Sequence, residues 1–366
     1  YFKQLFAQVT NPPLDAIREE LVTSLVTHLG PERNLFEETR DHCHLLRLEQ
    51  PILTDDDLER IREIDDGEMA TATLAAHFDP AGGGAALAAA LDDLCARAER
   101  AVVAEARNIV ILSDRGIARD RAPIPMLLAC GAVHHHLIRR GLRTRCGLVI
   151  ESGEPREVHH FAALFGYGAS AINPYLALRT LPLLREQGLI TVDPLLAQKH
   201  FLKAVGKGVL KTMSKMGIST LQSYRGAQQF EAVGLDESVV ERYFTGTASR
   251  VGGCDLAALA EEVARRHSRA WPEREIPSSF ELDPGGVYQW RRTGERHLLQ
   301  PLAIAKLQEA TRHGNAAAFA EFCRLVDDQN RDLLTLRGLL QFREDPARAV
   351  PLDEVEPWTE IVQRFK

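Results

Sequence analysis

The sequence predicts an α/β fold, in which a parallel central sheet of βαβ units has flanking helices, with further helical segments at the N- and C-terminal ends. Three short apolar runs typical of buried strands lie in the middle of the chain, at 108–112, 146–150 and 169–172. Stretches with helical spacing separate them, and this alternation of strand and helix is the pattern of a parallel sheet. Outside this region, apolar residues recur mainly at helical spacing.

Each of the three strands is followed by a predicted helix, and these helices occupy 124–140, 157–165 and 174–187. The loops that leave the strands are polar, with the sequences SDRG (113–116), ESG (151–153) and NPY (173–175). Ligands of such sheets bind at the carboxyl ends of the strands. We therefore expect polar chemistry to be found in these three loops.

The N-terminal region is predicted to be helical after a rigid start. The NPP sequence at 11–13 cannot be helical, whereas apolar spacing predicts a helix over 14–29. Another helix is predicted to begin at Thr54, whose hydroxyl can cap it and which is followed by acidic residues. A loop at 81–84 then precedes an alanine-rich helix over 85–107.

The final third of the chain is also predicted to be mainly helical. A basic helix covers 200–215, and helices dominate again after 253. Between them and the end, a turn at 285–286 precedes a short extended piece at 288–290. The tail, 350–366, is predicted to be a loop that enters a helix.

Composition narrows the class of protein. The 366 residues are 45% hydrophobic, which suffices for a large core. With 44 basic and 51 acidic residues, the net charge of -7 gives no field that attracts nucleic acid or an acidic membrane. There is no apolar run of roughly 20 residues and no signal peptide, so we expect a cytoplasmic protein. Because no initiator methionine is present, we expect a segment of a longer chain.

Cysteine and histidine residues give weak metal signals. The six cysteines are scattered without a CxxC pair, which predicts reduced thiols and no zinc or iron–sulfur ligands. Histidines cluster at 134–136 and 159–160 and could be read as a metal site. Consecutive helical residues point about 100° apart, however, so three in a row cannot chelate one ion. A mixture of core-edge and surface histidines is the favoured interpretation.

Two loops beside the predicted strands have competing interpretations. Asp114 and Arg115 follow a strand, where they could hold a substrate or could pair with each other and brace the loop. The GYGA sequence at 166–169 precedes a strand, so it does not match the dinucleotide-binding fingerprint. Close packing explains its glycines better.

The basic stretch 207–220 combines lysines, hydroxyls and Gly217. It could bind phosphate, or it could be a solvated helix face that ends in a glycine cap. The neighbouring SYRGAQ (223–228) supplies Arg225, which suits carboxylate or phosphate contact and equally a domain interface. An independent α/β enzyme with a phosphorylated ligand at 211–220 is a further, less favoured, interpretation.

Several long strings, in one order, resemble the large subunit of glutamate synthase. They are QVTNPP (8–13), ILSDRG (111–116), GYGA (166–169), AINPY (171–175), MSKMGIST (213–220), SYRGAQ (223–228), FTGT (244–247) and YQWRR (288–292). The similarity covers almost the whole chain. Separate long strings in a fixed order are far more specific than one short motif.

The resemblance implies a role inside a larger enzyme. In that family, a glutaminase domain releases ammonia, and a flavin-containing (β/α)8 barrel with a 3Fe-4S cluster uses it to convert 2-oxoglutarate to glutamate. The central domain joins the two and contributes walls to an ammonia tunnel. Residues 1–252 resemble that connecting domain, with a boundary near Gly252 and Gly253. Residues 253–366 resemble a helical connection into the FMN barrel.

The resemblance also implies cofactors, partners and site residues. FMN and the cluster belong to the parent enzyme, their ligands lie mostly outside this chain, and none is expected to be bound here. The partners are the glutaminase and barrel domains, with a small subunit or ferredoxin as electron donor. The residues expected to face the flavin are Gln8, Thr10, Asn11, Ser214, Lys215, Ser219 and Arg225. A rival interpretation is a purely structural docking module.

Overall fold

The structure is a computed structural model that describes residues 1–5, 16–272, 285–332, 335–341 and 343–365. The chain divides into two compact units, Tyr1–Arg274 and Glu275–Lys366. Gly252 and Gly253, where the sequence predicts a boundary, lie within a strand of the first unit. The assignment of 1–252 and 253–366 to separate domains of a larger enzyme stays a prediction.

The described part of the first unit contains mixed strands and helices. The strands are β1 (Phe2–Gln4), β2 (Thr27–Leu29), β3 (Leu46–Leu48), β4 (Thr71–Ala75), β5 (His77–Phe78), β6 (Ile109–Ser113), β7 (Ala122–Pro123), β8 (Gly147–Glu151), β9 (Ala171–Asn173), β10 (Phe230–Leu235) and β11 (Ala248–Cys254). The helices are α1 (Ala16–Val22), α2 (Asp55–Arg62), α3 (Gly83–Val103), α4 (Met126–Arg139), α5 (Val158–Gly166), α6 (Tyr175–Glu186), α7 (Pro194–Lys215), α8 (Leu221–Tyr224), α9 (Glu237–Tyr243) and α10 (Leu256–Ala270).

A four-stranded parallel sheet with the order β4-β6-β8-β9 is the centre of the first unit. Helices α3, α4 and α5 connect its successive strands, so the predicted α/β class and the three predicted strands are confirmed. The sequence did not predict β4. That strand lies at the edge of the sheet and is only partly buried, so it lacks the continuous apolar run of β6 and β8.

The sheet is covered on both faces. Alternate residues of a strand point to opposite sides. Val110, Leu112, Leu148 and Ile150 accordingly belong to the larger core, together with apolar residues of α3, α4 and α5. Ile109, Ile111 and Val149 belong to a smaller core, which residues of α2 and β2 complete. Burial on both faces explains why these strands read as uninterrupted apolar runs.

The N-terminal helix is shorter than predicted. Of the predicted helix 14–29, the described residues are helical only over Ala16–Val22, and Thr27–Leu29 forms β2, which pairs with β3 in antiparallel register. Thr27 and Leu29 are buried in that pairing, so tertiary contacts prevail over helical spacing. The start of α2 is as predicted, because the Thr54 hydroxyl accepts the Asp57 amide hydrogen in a capping box.

A second, mixed sheet joins the start of the chain to its final third. β1 pairs antiparallel with β10, and β10 pairs parallel with β11. The sequence did not predict these strands, because β1 has only three residues, β11 is mostly exposed and the apolar run of β10 is interrupted by Glu231. Helices α9 and α10 contact this sheet.

The second unit is mainly helical where it is described, as the sequence predicts. Its helices are α11 (Pro301–His313), α12 (Ala316–Asp332), α13 (Leu336–Leu339) and α14 (Trp358–Gln363). Gly314 ends α11 in the left-handed conformation, with a φ of 61°. Gly285 and Gly286 both have positive φ but form no assigned turn, and 288–290 form no strand. No partner strand in the described part of this unit pairs with them.

Candidate functional site

The carboxyl ends of the parallel strands bring polar side chains together, as predicted. Ser113, Glu151 and Asn173 end three adjacent strands and lie opposite one another in the sheet register. All three are buried. A buried polar group is costly unless it is hydrogen-bonded, so the contacts of these residues define the chemistry of this edge.

Glu151 is the centre of the cluster. Its side chain is 1% exposed. One carboxylate oxygen accepts hydrogen bonds from the Ser113 hydroxyl at 2.6 Å and from Arg62 Nη2 at 3.0 Å. The other oxygen accepts from Arg115 Nε. The Arg115 guanidinium also lies 4.1 Å from the centre of the Tyr175 ring. Glu151 therefore fixes two arginines at the edge of the sheet.

Asp114 does not pair with Arg115, which corrects one of the two interpretations of this loop. Its carboxylate accepts from the Ser152 hydroxyl at 2.6 Å and from the Gly153 amide at 3.1 Å. Burial raises the pKa of Asp114, against the opposing effect of these hydrogen bonds. Asp114 and Arg115 therefore have different partners, Ser152 and Glu151. The loop is braced by Ser152 and Gly153, and not by an ion pair between Asp114 and Arg115.

A polar cavity of about 540 Å³ lies over this edge. Asp55 and Glu59 of α2 line it, and Arg115 and Arg179 line it beside Asp55. Arg62 and Glu151 also reach it. Guanidinium and carboxylate groups are thus present in equal number around one small space.

A second cavity, of about 780 Å³, has a more apolar lining and includes Asp114, Glu154 and Tyr175. The Glu154 carboxylate accepts a hydrogen bond from the Met126 amide at 2.9 Å. Exclusion of water raises the pKa of Glu154, and the nearby Asp114 charge adds to the effect. Two carboxyl groups with raised pKa therefore line the same cavity.

The clustered histidines have separate partners. His134 Nδ1 accepts a hydrogen bond from Arg143 Nε at 2.9 Å, whereas His136 Nε2 lies 2.8 Å from a Glu99 oxygen. His159 Nε2 lies 3.0 Å from the Phe2 carbonyl oxygen. Across the described ranges, no three histidine, cysteine, aspartate or glutamate side chains form a group that could hold a metal ion.

The glycines of GYGA (166–169) allow close packing, as predicted. A Cβ on Gly166 would lie 2.5 Å from Phe230, and one on Gly168 would lie 2.2 Å from His134 Nδ1. Gly168 also has a φ of 109°, which L side chains rarely adopt. The motif is a packing motif between α5 and β9.

The residues expected to face a flavin lie in three different situations. Gln8, Thr10 and Asn11 lie outside the described residues. Ser214 and Lys215 are in the last turn of α7, before Gly217 with its φ of 74°, and Ser219 is exposed beyond it. The helix thus ends at a left-handed glycine, as in the glycine-cap interpretation of this stretch.

Arg225 is turned into the first unit. Its side chain is 9% exposed, Nη1 donates to the Ser170 hydroxyl at 2.7 Å, and Nη2 lies 3.5 Å from a Glu32 oxygen. Burial, together with the charge of Arg143, lowers the pKa of Arg225 to about 10. Its contacts in the described structure are those of a structural residue.

Sequence reasoning missed Arg62 and underestimated Glu151. The ESG loop indicated a role for Glu151, because a carboxylate directly after a buried strand must find a partner at the edge of the sheet. Arg62, on α2, had no comparable signal, since its only local feature is a place in the last turn of a helix. The contact between them depends on how α2 packs against the sheet.

These features define the class of the protein: an α/β domain with a polar cavity, large enough for a small ligand, at the carboxyl edge of its parallel sheet. A family model described as the glutamate synthase central domain matches residues 1–236. The chain belongs to this family. Within the described residues no helix is long and apolar enough to cross a membrane.

Curated relatives match the chain over its full length. It is 45% identical to the NADH glutamate synthase of Schizosaccharomyces pombe, covering 100% of this chain and 17% of that protein. It is 43% identical to the NADPH glutamate synthase large chain of Bacillus subtilis, covering 23% of it. The ferredoxin-dependent glutamate synthase of Cyanidium caldarium is 39% identical, with 24% of it covered. The chain therefore spans about a quarter or less of these relatives.

Among solved structures, a flavocytochrome b2 variant with bound sulfite is similar with a TM-score of 0.32 and 14% identity. The similar region covers 64% of this chain and 48% of that one.

Proposed function

We propose that this chain is the segment of a glutamate synthase that links a glutaminase domain to an FMN-binding barrel domain, lines the ammonia path and abuts the flavin site. The supporting observation is the match of the entire chain to 17–24% of glutamate synthases. A segment that accounts for so small a part of its relatives acts together with the rest of the polypeptide. Residues 1–252 would be the connecting domain and 253–366 the lead-in to the barrel.

The proposed parent reaction forms L-glutamate in the cytoplasm. Glutamine hydrolysis supplies ammonia, which condenses with 2-oxoglutarate with loss of water, and two electrons and protons complete the reduction. Relatives named for NADH, NADPH and ferredoxin are similar to this segment at 45%, 43% and 39% identity. A small subunit or ferredoxin would deliver the electrons, and this segment does not distinguish between them.

The described residues do not fit a flavin phosphate or an iron–sulfur cluster. Ser214 and Lys215 lie at the carboxyl end of α7, where the helix dipole disfavours an anion. Cys95, Cys130 and Cys146 are separate buried thiols. We therefore assign both cofactors to the rest of the enzyme. Contact with the flavin-bearing domain is the role proposed for Gln8, Thr10, Asn11, Ser214, Lys215 and Ser219.

Sequencing the DNA on both sides of this segment tests the proposal directly. A glutaminase domain with an N-terminal cysteine is expected upstream, and a barrel with a cysteine cluster is expected downstream. The purified chain alone should be colourless and should form no glutamate from glutamine and 2-oxoglutarate, because it lacks the nucleophile and the cluster ligands. Unrelated flanking domains, or a stoichiometric yellow chromophore, would contradict the proposal.

A purely structural docking role is the second candidate, and the buried contacts of Arg225 favour it for that residue. Substitution of Asn11 or Arg225 in the full-length subunit separates the two roles. Loss of glutamate formation with intact folding and glutaminase activity supports a site role. Loss of stability alone supports scaffolding.

A further inference from the structure

The polar cavity at the edge of the parallel sheet has an acidic wall, which adjoins a basic wall at Asp55. Asp55 and Glu59 lie one turn apart on α2, so their carboxylates share a face of that helix. Arg115, from the loop after β6, and Arg179, on α6, supply the basic wall. The acidic wall and the basic wall are features of this chain alone and do not depend on the proposed parent reaction.

The inner charges of this cavity are already satisfied. Arg62 donates to Thr73 at 2.7 Å and to Glu151 at 3.0 Å, and lies 3.3 Å from Glu59. Glu151 accepts hydrogen bonds at both oxygens. These two residues form the floor of the cavity and have little capacity left for a ligand.

The outer charges are only partly satisfied. Arg115 Nη2 and Arg179 Nε lie 3.5 and 3.7 Å from the same Asp55 oxygen. Good charge-assisted hydrogen bonds are about 2.7–2.9 Å long, so both contacts are weak. The Arg179 side chain is 66% exposed, and the described residues offer its other guanidinium nitrogens no acceptor. Glu59 is likewise mostly exposed.

The walls are nevertheless held in place. Arg115 is fixed by Glu151 and by the Tyr175 ring. Asp55 begins α2, and its other oxygen accepts from Asn173 Nδ2 at 3.0 Å. Preformed charges reduce the ordering cost of binding.

We propose that this cavity binds a free α-amino acid as its zwitterion. The ligand carboxylate would accept from Arg115 and Arg179, and its ammonium group would donate to Asp55 and Glu59. Adjacent charges of both signs match the two walls, whereas the equal number of guanidinium and carboxylate groups gives no net attraction for a simple anion or cation. The site is a binding site and requires no chemical step.

Isothermal titration calorimetry of the purified chain tests the proposal with glycine, L-serine, L-glutamine and L-glutamate. Acetate, methylammonium and inorganic phosphate are the single-charge probes. We expect at least one amino acid to bind about tenfold or more tightly than each single-charge probe, as expected where two charged contacts act together. Equal binding of phosphate or acetate would overturn the proposal, as would the absence of amino-acid binding.

Matched variants localise the site. Arg179→Gln should weaken amino-acid binding about tenfold, whereas Arg185→Gln, on the same helix with an ion pair to Asp193 outside the cavity, should not change it. Glu59→Gln should weaken amino-acid binding and spare acetate, and Glu63→Gln, at the residue that follows the end of this helix, is its control. All four residues are exposed, so urea unfolding should verify intact folding. Equal losses in test and control variants would overturn the assignment.

Discussion

Arg62 and Glu151 are 89 residues apart in the sequence, and their side chains meet at 3.0 Å at the carboxyl edge of the parallel sheet. Arg62 ends α2, and Glu151 ends β8. The contact fastens a helix that precedes the sheet to the centre of the sheet. The acidic face of α2 also lies beside Arg115 and Arg179, which both approach Asp55.

Glu151→Gln should lower the free energy of unfolding by about 1–3 kcal/mol, because two arginines lose the carboxylate charge and the amide group replaces one acceptor oxygen by a donor. Urea denaturation of the purified chain measures this change. Glu105→Gln, at an exposed position, should change stability by less than about 0.5 kcal/mol. Equal effects of the two substitutions would show that Glu151 does not organise this edge.

Gly168→Ala should be more destabilising than Gly188→Ala. Both glycines have positive φ, 109° and 70°, so each substitution costs about 1–2 kcal/mol of backbone strain. Only Gly168 has a neighbour in the way, His134 Nδ1 at 2.2 Å from the added Cβ, whereas Gly188 has none within 4 Å. Thermal or urea unfolding should show about 1–3 kcal/mol of extra loss for Gly168→Ala. Equal losses would contradict the close packing of this motif.

His134 should make the chain less stable at acidic pH. Burial, followed by the charge of Arg143, lowers the pKa of His134 from 6.5 to about 2. Between these values the unfolded chain binds a proton that the folded chain excludes, so stability is lost as pH falls below 6.5. Relative to His134→Asn, which cannot titrate, the native chain should lose about 2 kcal/mol between pH 7 and 5. If the free energy of unfolding of the native chain and of His134→Asn changed equally with pH in urea unfolding, this prediction would be contradicted.

Arg225 and Ser170 should be energetically coupled. Nη1 of Arg225 donates to the fully buried Ser170 hydroxyl at 2.7 Å. A double-mutant cycle with Arg225→Gln and Ser170→Ala should give a coupling energy of about 0.5–3 kcal/mol in urea unfolding. Additive effects would mean that the hydrogen bond does not contribute to stability, and that Arg225 is available for other contacts.

Lys215→Ala in the full-length subunit should slow glutamate formation about tenfold or more and spare glutamine hydrolysis assayed alone, if this turn contacts the flavin-bearing domain. Asn11→Ala should act in the same way. Lys211→Ala, one turn earlier on the exposed surface of α7, is the matched control. Unchanged synthase activity in both test variants would remove these residues from the proposed site.

The sequence by itself determined the α/β class, the strands β6, β8 and β9, the helices between them and the family. Burial on both faces makes such strands uninterrupted apolar runs, which single-sequence reasoning can read directly. The polar loops at their carboxyl ends were also predicted, since parallel strands carry their ends to one edge. The helix start at Thr54 followed from local chemistry alone.

Only the tertiary structure decided which polar groups pair. Arg115 follows Asp114 in the chain, yet its partner is Glu151, and the partner of Glu151 on α2 is Arg62. The strand identity of Thr27–Leu29 and the inward position of Arg225 were decided in the same way. Each depends on contacts between residues far apart in sequence, whose energies local propensity does not contain.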